Sequence, residues 1–237
     1  IATDINASYK TIRFIDNNVR HASDYQQIDV HAGFHNEYFH VRNKVINYIE
    51  RNPNKEIFVT GFSMGGALAT LASFDIALHT GREVTMYNSG APRVGGSEFR
   101  AEFKKVVPAS YRVAVHKDPG PQVPGVWVDY EHIGRLLQIY KNGHIMKPDD
   151  IKPATGPLFH GGVFKEWLNK KIDGYDDLNM LAFIKTLLTV FDADRHKKPL
   201  YLESLENLYS LCNANSQKCP TISSMDEAAF AERQAAK

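Results

Sequence analysis

Residues 57–72, IFVTGFSMGGALATLA, carry the clearest structural signal in the sequence. The opening residues of this stretch are mostly β-branched or aromatic and predict a strand, whereas the alanine-rich residues that close it predict a helix. A G-x-S-x-G pattern, from Gly61 to Gly65 with Ser63 at its centre, joins the two. A serine at so abrupt a turn adopts a cramped backbone geometry, and glycines two residues before and after it keep the neighbouring backbone from colliding. The pattern therefore indicates a hydroxyl group lifted clear of the end of a sheet.

The residues on both sides of this turn alternate between strand and helix patterns. We predict strands at residues 56–60, 83–87 and 111–116, and helices at residues 9–19, 35–51, 65–79, 96–105 and 200–211. Strands and helices alternating at these lengths are typical of a mostly parallel sheet with covering helices. The length of 237 residues suits one domain or at most two small ones.

Four local signals add to this outline. IDVHAGF, residues 28–34, predicts a strand that leaves into a glycine turn. Gly81 follows a predicted helix and is suited to cap it, and Asn142-Gly143 is suited to a hairpin turn. Residues 158–190 are predicted to be mainly helical.

Composition excludes several classes of function. Apolar residues make up 43% and charged residues 23%, and the net charge is +1. So balanced a charge creates no strong attraction to nucleic acid or acidic lipid, and no segment approaches the ~20 apolar residues of a membrane helix. The ten histidines form no H-E-x-x-H pattern and no close cluster with cysteine. We therefore predict no metal site, no nucleic-acid partner and no transmembrane segment.

Two features of the sequence bear on cellular location, and the first of them has two interpretations. Cys212 and Cys219 flank NANSQK, a spacing that suits either a small surface disulfide or two free thiols on a loop. Asn6-Ala7-Ser8 is a glycosylation sequon. Together these features favour a secreted protein.

The chemistry indicated by the turn is nucleophilic attack by Ser63. The N–H groups at the start of the following helix, led by that of Met64, can stabilise a negative oxygen formed on an attacked carbonyl. The alternative is a phosphate-binding turn, but neither G-x-G-x-x-G nor G-x-x-x-x-G-K-[ST] is present. We interpret Ser63 as a nucleophile that needs a base and an orienting acid, and the chemistry requires no cofactor.

Candidates for the acid and the base follow from the chain order serine, acid, histidine. Asp118 comes directly after a predicted strand, where active-site residues of open α/β sheets collect, although Asp-Pro is also a common turn. Among the later histidines we rank His196 first, because it lies in a polar loop before a helix, and His160 second. The remaining two lie on a strand and in a hairpin: His132 and His144.

Five motifs together resemble the class 3 (fungal-type) triacylglycerol lipases, which have the α/β-hydrolase fold. They are VHAGF (30–34), VTGFSMGGALATLA (59–72), YNSGAPRVGGSEF (87–99), RVAVHKDPGPQVP (112–124) and YEHIG (130–134), in the family's order. The resemblance implies that Ser63 is the nucleophile and Asp118 the acid, and that Val123 and Pro124 line the acyl pocket. It implies a base at His196, ahead of a helix with Tyr201, and a helical insertion at about residues 145–190 within one domain, residues 1–237.

The chain departs from the family pattern in two places. Phe62 and Met64 stand where the family elbow usually has histidine and leucine, so Phe62 is expected to contact substrate and alter preference. The family has strands and an Arg-Gly-Thr/Ser turn near the start, and here Thr3 is the candidate for the second oxyanion donor. The upstream strands are then missing from this chain, whether removed, cleaved into a second chain or supplied otherwise. Residues 9–19 would occupy the position of the family's lid, or would simply pack on the core.

Three functions are compatible with these residues. The first is a serine carboxylester hydrolase that acts on lipid esters at an oil or membrane interface. The second is a feruloyl-type or short-chain esterase on the same scaffold. The third is a non-catalytic relative that serves as an interaction module. The presence of both Ser63 and Asp118 argues against it, because a binding module does not need them.

Overall fold

The computed structural model describes residues 9–13, 27–118, 120–124, 130–146 and 198–214. Six strands lie in this part of the chain: β1 (Tyr9–Arg13), β2 (Gln27–His31), β3 (Ile57–Phe62), β4 (Val84–Ser89), β5 (Ser110–Val115) and β6 (Arg135–Ile139). Four α-helices accompany them: α1 (Ala32–Glu50), α2 (Met64–Thr80), α3 (Ser97–Val106) and α4 (Lys198–Ala214). The strands and helices predicted between residues 35 and 116, and the helix at 200–211, are confirmed with bounds shifted by a few residues.

The described strands form two sheets. The larger has the order β3-β4-β5-β6 and every neighbouring pair in it is parallel. The smaller is the antiparallel pair β1-β2, in which Tyr9 faces His31 and Arg13 faces Gln27. Because parallel strands end at the same edge of a sheet, β3 and β5 deliver the residues that follow them, Ser63 and the segment up to Asp118, to one edge.

Helices cover both faces of the larger sheet, as predicted. Ile57, Val84 and Met86 pack into one cluster with side chains of α1, α2 and α3. Alternate strand residues point to opposite faces, and Val115 and Ile139 pack instead with α4. This second cluster also includes Phe62, which comes directly before the serine turn.

Two local predictions are wrong. Residues 9–13 form β1 rather than the start of a helix over 9–19, because they pair along their whole length with β2; residues 14–19 lie outside the described residues. The first five residues of the segment predicted as a possible lid are therefore part of a sheet rather than of a helix. The expected glycine turn after β2 is instead the first turn of α1, in which the N–H of Gly33 donates to the Nδ1 of His31 over 3.2 Å.

Two turn signals are confirmed. Gly81 caps α2 in the left-handed conformation, with φ of 65°. Gly143 has φ of 80° in the turn after β6. The turn is closed by a hydrogen bond in which the N–H of Tyr140 donates to the carbonyl of His144 over 2.9 Å. A Cβ on Gly143 would lie 2.3 Å from the backbone nitrogen of Leu208, so this turn supports α4 at close range.

A buried ionic cluster joins α1 to α2. The carboxylate of Asp75 accepts hydrogen bonds from the Tyr38 hydroxyl at 2.6 Å and from the Arg42 guanidinium at 2.9 Å. Burial and the charge of Asp75 raise the pKa of Tyr38. The cluster fixes α2, the helix that begins at the serine turn.

Three properties of the described residues bear on class and location. None of the helices they form is both long and apolar enough to span a membrane. No group of three or more potential metal ligands occurs within the same segments. Cys212 on α4 is disulfide-bonded, so the disulfide interpretation is confirmed for that residue.

Candidate active site

Ser63 occupies the turn between β3 and α2 in a strained backbone conformation. Its φ is 56° and its ψ is −127°, a region that residues other than glycine rarely adopt. Its N–H donates to the carbonyl of Ser89 over 2.9 Å, and its own carbonyl accepts from the N–H of Gly66 over 2.9 Å. Ser63 is partly buried. The turn thus has the geometry of a nucleophile elbow.

The glycines around Ser63 differ in what they contribute. A Cβ on Gly61 would lie 2.1 Å from the carbonyl oxygen of Gly65, and one on Gly66 would lie 2.7 Å from the Cβ of Ala91. A Cβ on Gly65 would meet nothing within 4 Å among the described residues. The expectation that Gly61 is sterically required is therefore confirmed, whereas the second required position is Gly66 rather than Gly65.

Met64, the first residue of α2, places its N–H group at the N-terminus of that helix. The first N–H groups of a helix lack partners within it and carry the positive end of its dipole. The N–H groups of Gly66 and Ala67, further along the first turn, instead donate to the carbonyl of Ser63. The position of Met64 suits the oxyanion role predicted for it.

Asp118 lies three residues beyond the end of β5 and is 2% exposed. Its N–H donates to the carbonyl of Val115 over 3.0 Å, and its Oδ1 accepts from the N–H of Gly120 over 2.8 Å. Lys117, just before it, has φ of 65° although it is not glycine. The carboxylate is therefore held by a tight turn at the same sheet edge as Ser63.

Tyr201 on α4 contacts Asp118 from the other side. Its hydroxyl donates to Oδ2 of Asp118 and accepts from the N–H of Val115 over 3.3 Å. Burial, followed by the negative charge of Asp118, raises the pKa of Tyr201 well above its usual value. The family resemblance placed Tyr201 only on the helix after the base, because no local signal reveals a contact between residues 83 positions apart.

Phe62 packs its ring edge-on against Tyr201, with centroids 5.3 Å apart. It belongs to the cluster formed by β5, β6 and α4, and it is partly buried. The aromatic residue that replaces a polar one in the family pattern thus has a packing partner in this chain. Its predicted contact with substrate stays a prediction.

Arg93 fixes the segment predicted to line the acyl pocket. Its buried guanidinium donates to the carbonyls of Gln122 and Pro124, both at 2.7 Å, and its N–H donates to that of Val123 at 2.8 Å. Three consecutive carbonyl groups are therefore tied to one residue, two of them through its side chain and one through its backbone. Val123 is 7% exposed, and the substrate role of Val123 and Pro124 stays a prediction.

The histidines divide into those that the structure places and those that it does not describe. Burial lowers the pKa of His31 to about 4, and burial with the charges of Arg112 and Arg93 lowers that of His132. His144 is exposed in the turn after β6. His196, His160 and Thr3 lie outside the described residues, so the structure brings Asp118 and Ser63 to one sheet edge without placing the predicted base or the second oxyanion donor.

The parallel sheet, helices on both faces and the strand–serine–helix turn define an α/β-hydrolase fold. A model of the family Lipase (class 3) matches residues 3–127, slightly more than half of the sequence. The chain belongs to the class 3 lipase family, as the five motifs predicted.

Individual relatives share shorter segments with this chain. A lipase of Caenorhabditis elegans is 36% identical over 87 residues, covering 35% of this chain and 25% of the relative. The secreted mono- and diacylglycerol lipase A of Penicillium cyclopium is 29% identical over 135 residues, covering 55% of this chain and 44% of the relative. Among solved structures, lipase II from Rhizopus niveus is 24% identical with a TM-score of 0.46, covering 63% of this chain and 62% of that one. The matched segments span less than half of both sequence relatives.

Proposed function

We propose that this chain is a serine carboxylester hydrolase that acts on lipid esters, with Ser63, His196 and Asp118 as its triad. The observation that carries the proposal is the position of Ser63 on a strained strand-to-helix turn, at the sheet edge where Asp118 is buried. Strain of this kind costs on the order of 1–3 kcal/mol and is typical of functional sites. Family membership adds support for ester hydrolysis.

The reaction follows from these positions. Ser63 Oγ attacks the ester carbonyl carbon while its proton passes to a ring nitrogen of His196. The carbonyl oxygen becomes an oxyanion that accepts hydrogen bonds from the N–H groups of Met64 and Thr3. The intermediate then expels the alcohol, which takes the proton from the imidazolium, and leaves an acyl group on Ser63. Water attacks this acyl-enzyme by the same route, and the fatty acid leaves.

The choice of His196 as the base rests on the chain around Tyr201. His196 precedes the start of α4 by two residues, and Tyr201 on that helix contacts Asp118. Five residues of fully extended chain span at most about 18 Å, so the chain length between His196 and Tyr201 is compatible with a base beside the acid. His132 is a poor alternative, because burial and then the charges of Arg112 and Arg93 lower its pKa, and both effects oppose the imidazolium that a base must form.

Lipid esters are the proposed substrate class. The relative from Penicillium cyclopium is a mono- and diacylglycerol lipase. In this chain the apolar Val123 donates its N–H to the carbonyl of Gly120 over 3.4 Å, and the N–H of Gly120 donates to the acid, Asp118. The proposed enzyme acts at an oil or membrane interface and is secreted, as that relative is.

The test uses nitrophenyl esters from acetate to palmitate together with emulsified triacylglycerol. The proposal predicts turnover that rises with acyl length, and its loss in Ser63→Ala and His196→Ala. His160→Ala is the matched histidine control and retains activity. Turnover restricted to short or aromatic esters would instead favour the soluble esterase, and loss of activity in His160→Ala alone would reassign the base.

A further inference from the structure

The Tyr201 hydroxyl lies between two parts of the site. It donates to Oδ2 of Asp118 and accepts from the N–H of Val115, the last residue of β5. The side chain is 2% exposed, so neither contact competes with bulk water. Oδ1 of the same carboxylate accepts from the N–H of Gly120 over 2.8 Å. Each carboxylate oxygen therefore has a donor from a different part of the chain.

We infer that Tyr201 is a positioning residue for the acid of the triad, an inference that rests on the proposed function. Two donors at the two oxygens fix the plane of the carboxylate. An ionised carboxylate offers about four acceptor sites, so these donors leave others for the N–H of the base. The hydroxyl thereby fixes where the carboxylate can hold the imidazole, and it does so without touching substrate.

Electrostatics keep Tyr201 in the donor state. Burial and the negative charge of Asp118 raise the pKa of Tyr201, while the Arg112 guanidinium of β5 and the N–H of Val115 act in the opposite direction. The hydroxyl thus remains protonated throughout the pH range in which a histidine base works. A hydrogen bond to the carboxylate disperses part of its negative charge, which weakens its attraction for a protonated imidazole. Removal of the hydroxyl therefore favours the imidazolium form of the base.

Phe62, which stands where the family pattern usually has histidine, contacts the ring of Tyr201. Its ring lies edge-on to Tyr201 at 5.3 Å, and it directly precedes Ser63 in sequence. Aromatic pairs in this geometry favour one relative orientation of the two rings. Phe62 therefore restricts the orientation of Tyr201, and the pair connects the serine turn on β3 with the acid that follows β5.

The test is Tyr201→Phe, which keeps the ring beside Phe62 and removes only the hydroxyl. We expect kcat on a nitrophenyl ester to fall about tenfold, with KM within about twofold, because only the alignment of the triad is impaired. The acid limb of the kcat/KM profile moves to higher pH by about half a unit. The control is Tyr209→Phe, an exposed tyrosine on the same helix, and it leaves both quantities unchanged.

Phe62→Leu provides a second variant that retains the hydroxyl. It is expected to shift the acid limb in the same direction by a smaller amount, because the Tyr201 ring is less restricted. Circular dichroism confirms that each variant is folded before kinetics are compared. Wild-type kcat and an unmoved acid limb in Tyr201→Phe would overturn the positioning role while leaving the proposed function intact. A folded wild-type protein that hydrolyses no ester would overturn both.

Discussion

The backbone N–H of Ser63 donates to the carbonyl oxygen of Ser89 across 2.9 Å, which joins the serine turn to the end of the neighbouring strand. Through this bond and the one between the Ser63 carbonyl and Gly66, the turn keeps its backbone groups paired while Ser63 adopts φ of 56°. The surrounding sheet and helix therefore stabilise a backbone conformation that is unfavourable for an isolated serine.

The strain at Ser63 predicts a gain in stability when the serine is replaced by glycine. Ser63→Gly should unfold with a free energy about 1 kcal/mol higher than Ser63→Ala, because glycine adopts positive φ without steric cost. Both variants should lack esterase activity. Urea unfolding of the two proteins measures the difference, and equal midpoints would contradict the assignment of strain to this position.

The glycines of the turn predict opposite outcomes for the same substitution. Gly61→Ala should lose several kcal/mol of stability, because its Cβ would lie 2.1 Å from the backbone oxygen of Gly65. Gly65→Ala is the matched control and should fold with nearly wild-type stability, since the described residues leave room for its Cβ. Thermal unfolding followed by circular dichroism compares them, and a tolerated Gly61→Ala would contradict the geometry of the turn.

Lys117 predicts a second stabilising substitution close to the acid. Its φ of 65° lies in the left-handed region, so Lys117→Gly should gain up to about 1 kcal/mol. Lys104→Gly makes the same change at an exposed position in α3, where glycine should cost up to about 1 kcal/mol. Opposite signs in denaturant unfolding support the backbone assignment, and two losses would count against it.

His31 predicts a pH-dependent loss of stability. Burial lowers its pKa to about 4 from an unfolded value near 6.5. Between pH 4 and pH 6.5 the imidazole is therefore protonated in the unfolded chain and neutral in the folded protein. The stability is fully present above pH 6.5 and falls as the pH drops toward 4, by an amount on the order of 3 kcal/mol.

His31→Asn tests this origin. Asparagine can still accept the hydrogen bond from Gly33 that begins α1, but it does not titrate. The slope of unfolding free energy against pH should become shallower in this variant without vanishing, because the pKa of His132 is also lowered by burial. An unchanged slope would exclude His31 as its source.

Local patterns were sufficient to predict the core of the fold. The strand–serine–helix turn, Gly81 as a cap and the alternation from residue 56 to residue 116 all follow from side-chain periodicity and backbone preferences that act within a few residues. The position of Asp118 just after β5 could be predicted because the end of a strand is itself a local property.

Other features depend on partners that are distant in sequence. The residues of β1 have apolar side chains at helical spacing, yet pairing with β2 makes them a strand, and nothing within residues 9–13 indicates that partner. Tyr201 meets Asp118 only because α4 packs on β5, β6 and the turn at Gly143. Gly65 shares a motif with Gly61, but only coordinates distinguish the glycine that touches backbone from the one that does not.

Covalent labelling with a fluorophosphonate shows whether Ser63 acts as a nucleophile. Mass spectrometry of the intact folded protein should show one adduct, which peptide mapping places on Ser63, and Ser63→Ala should show none. A folded wild-type protein that takes up no label, or takes it up on another residue, would contradict the account.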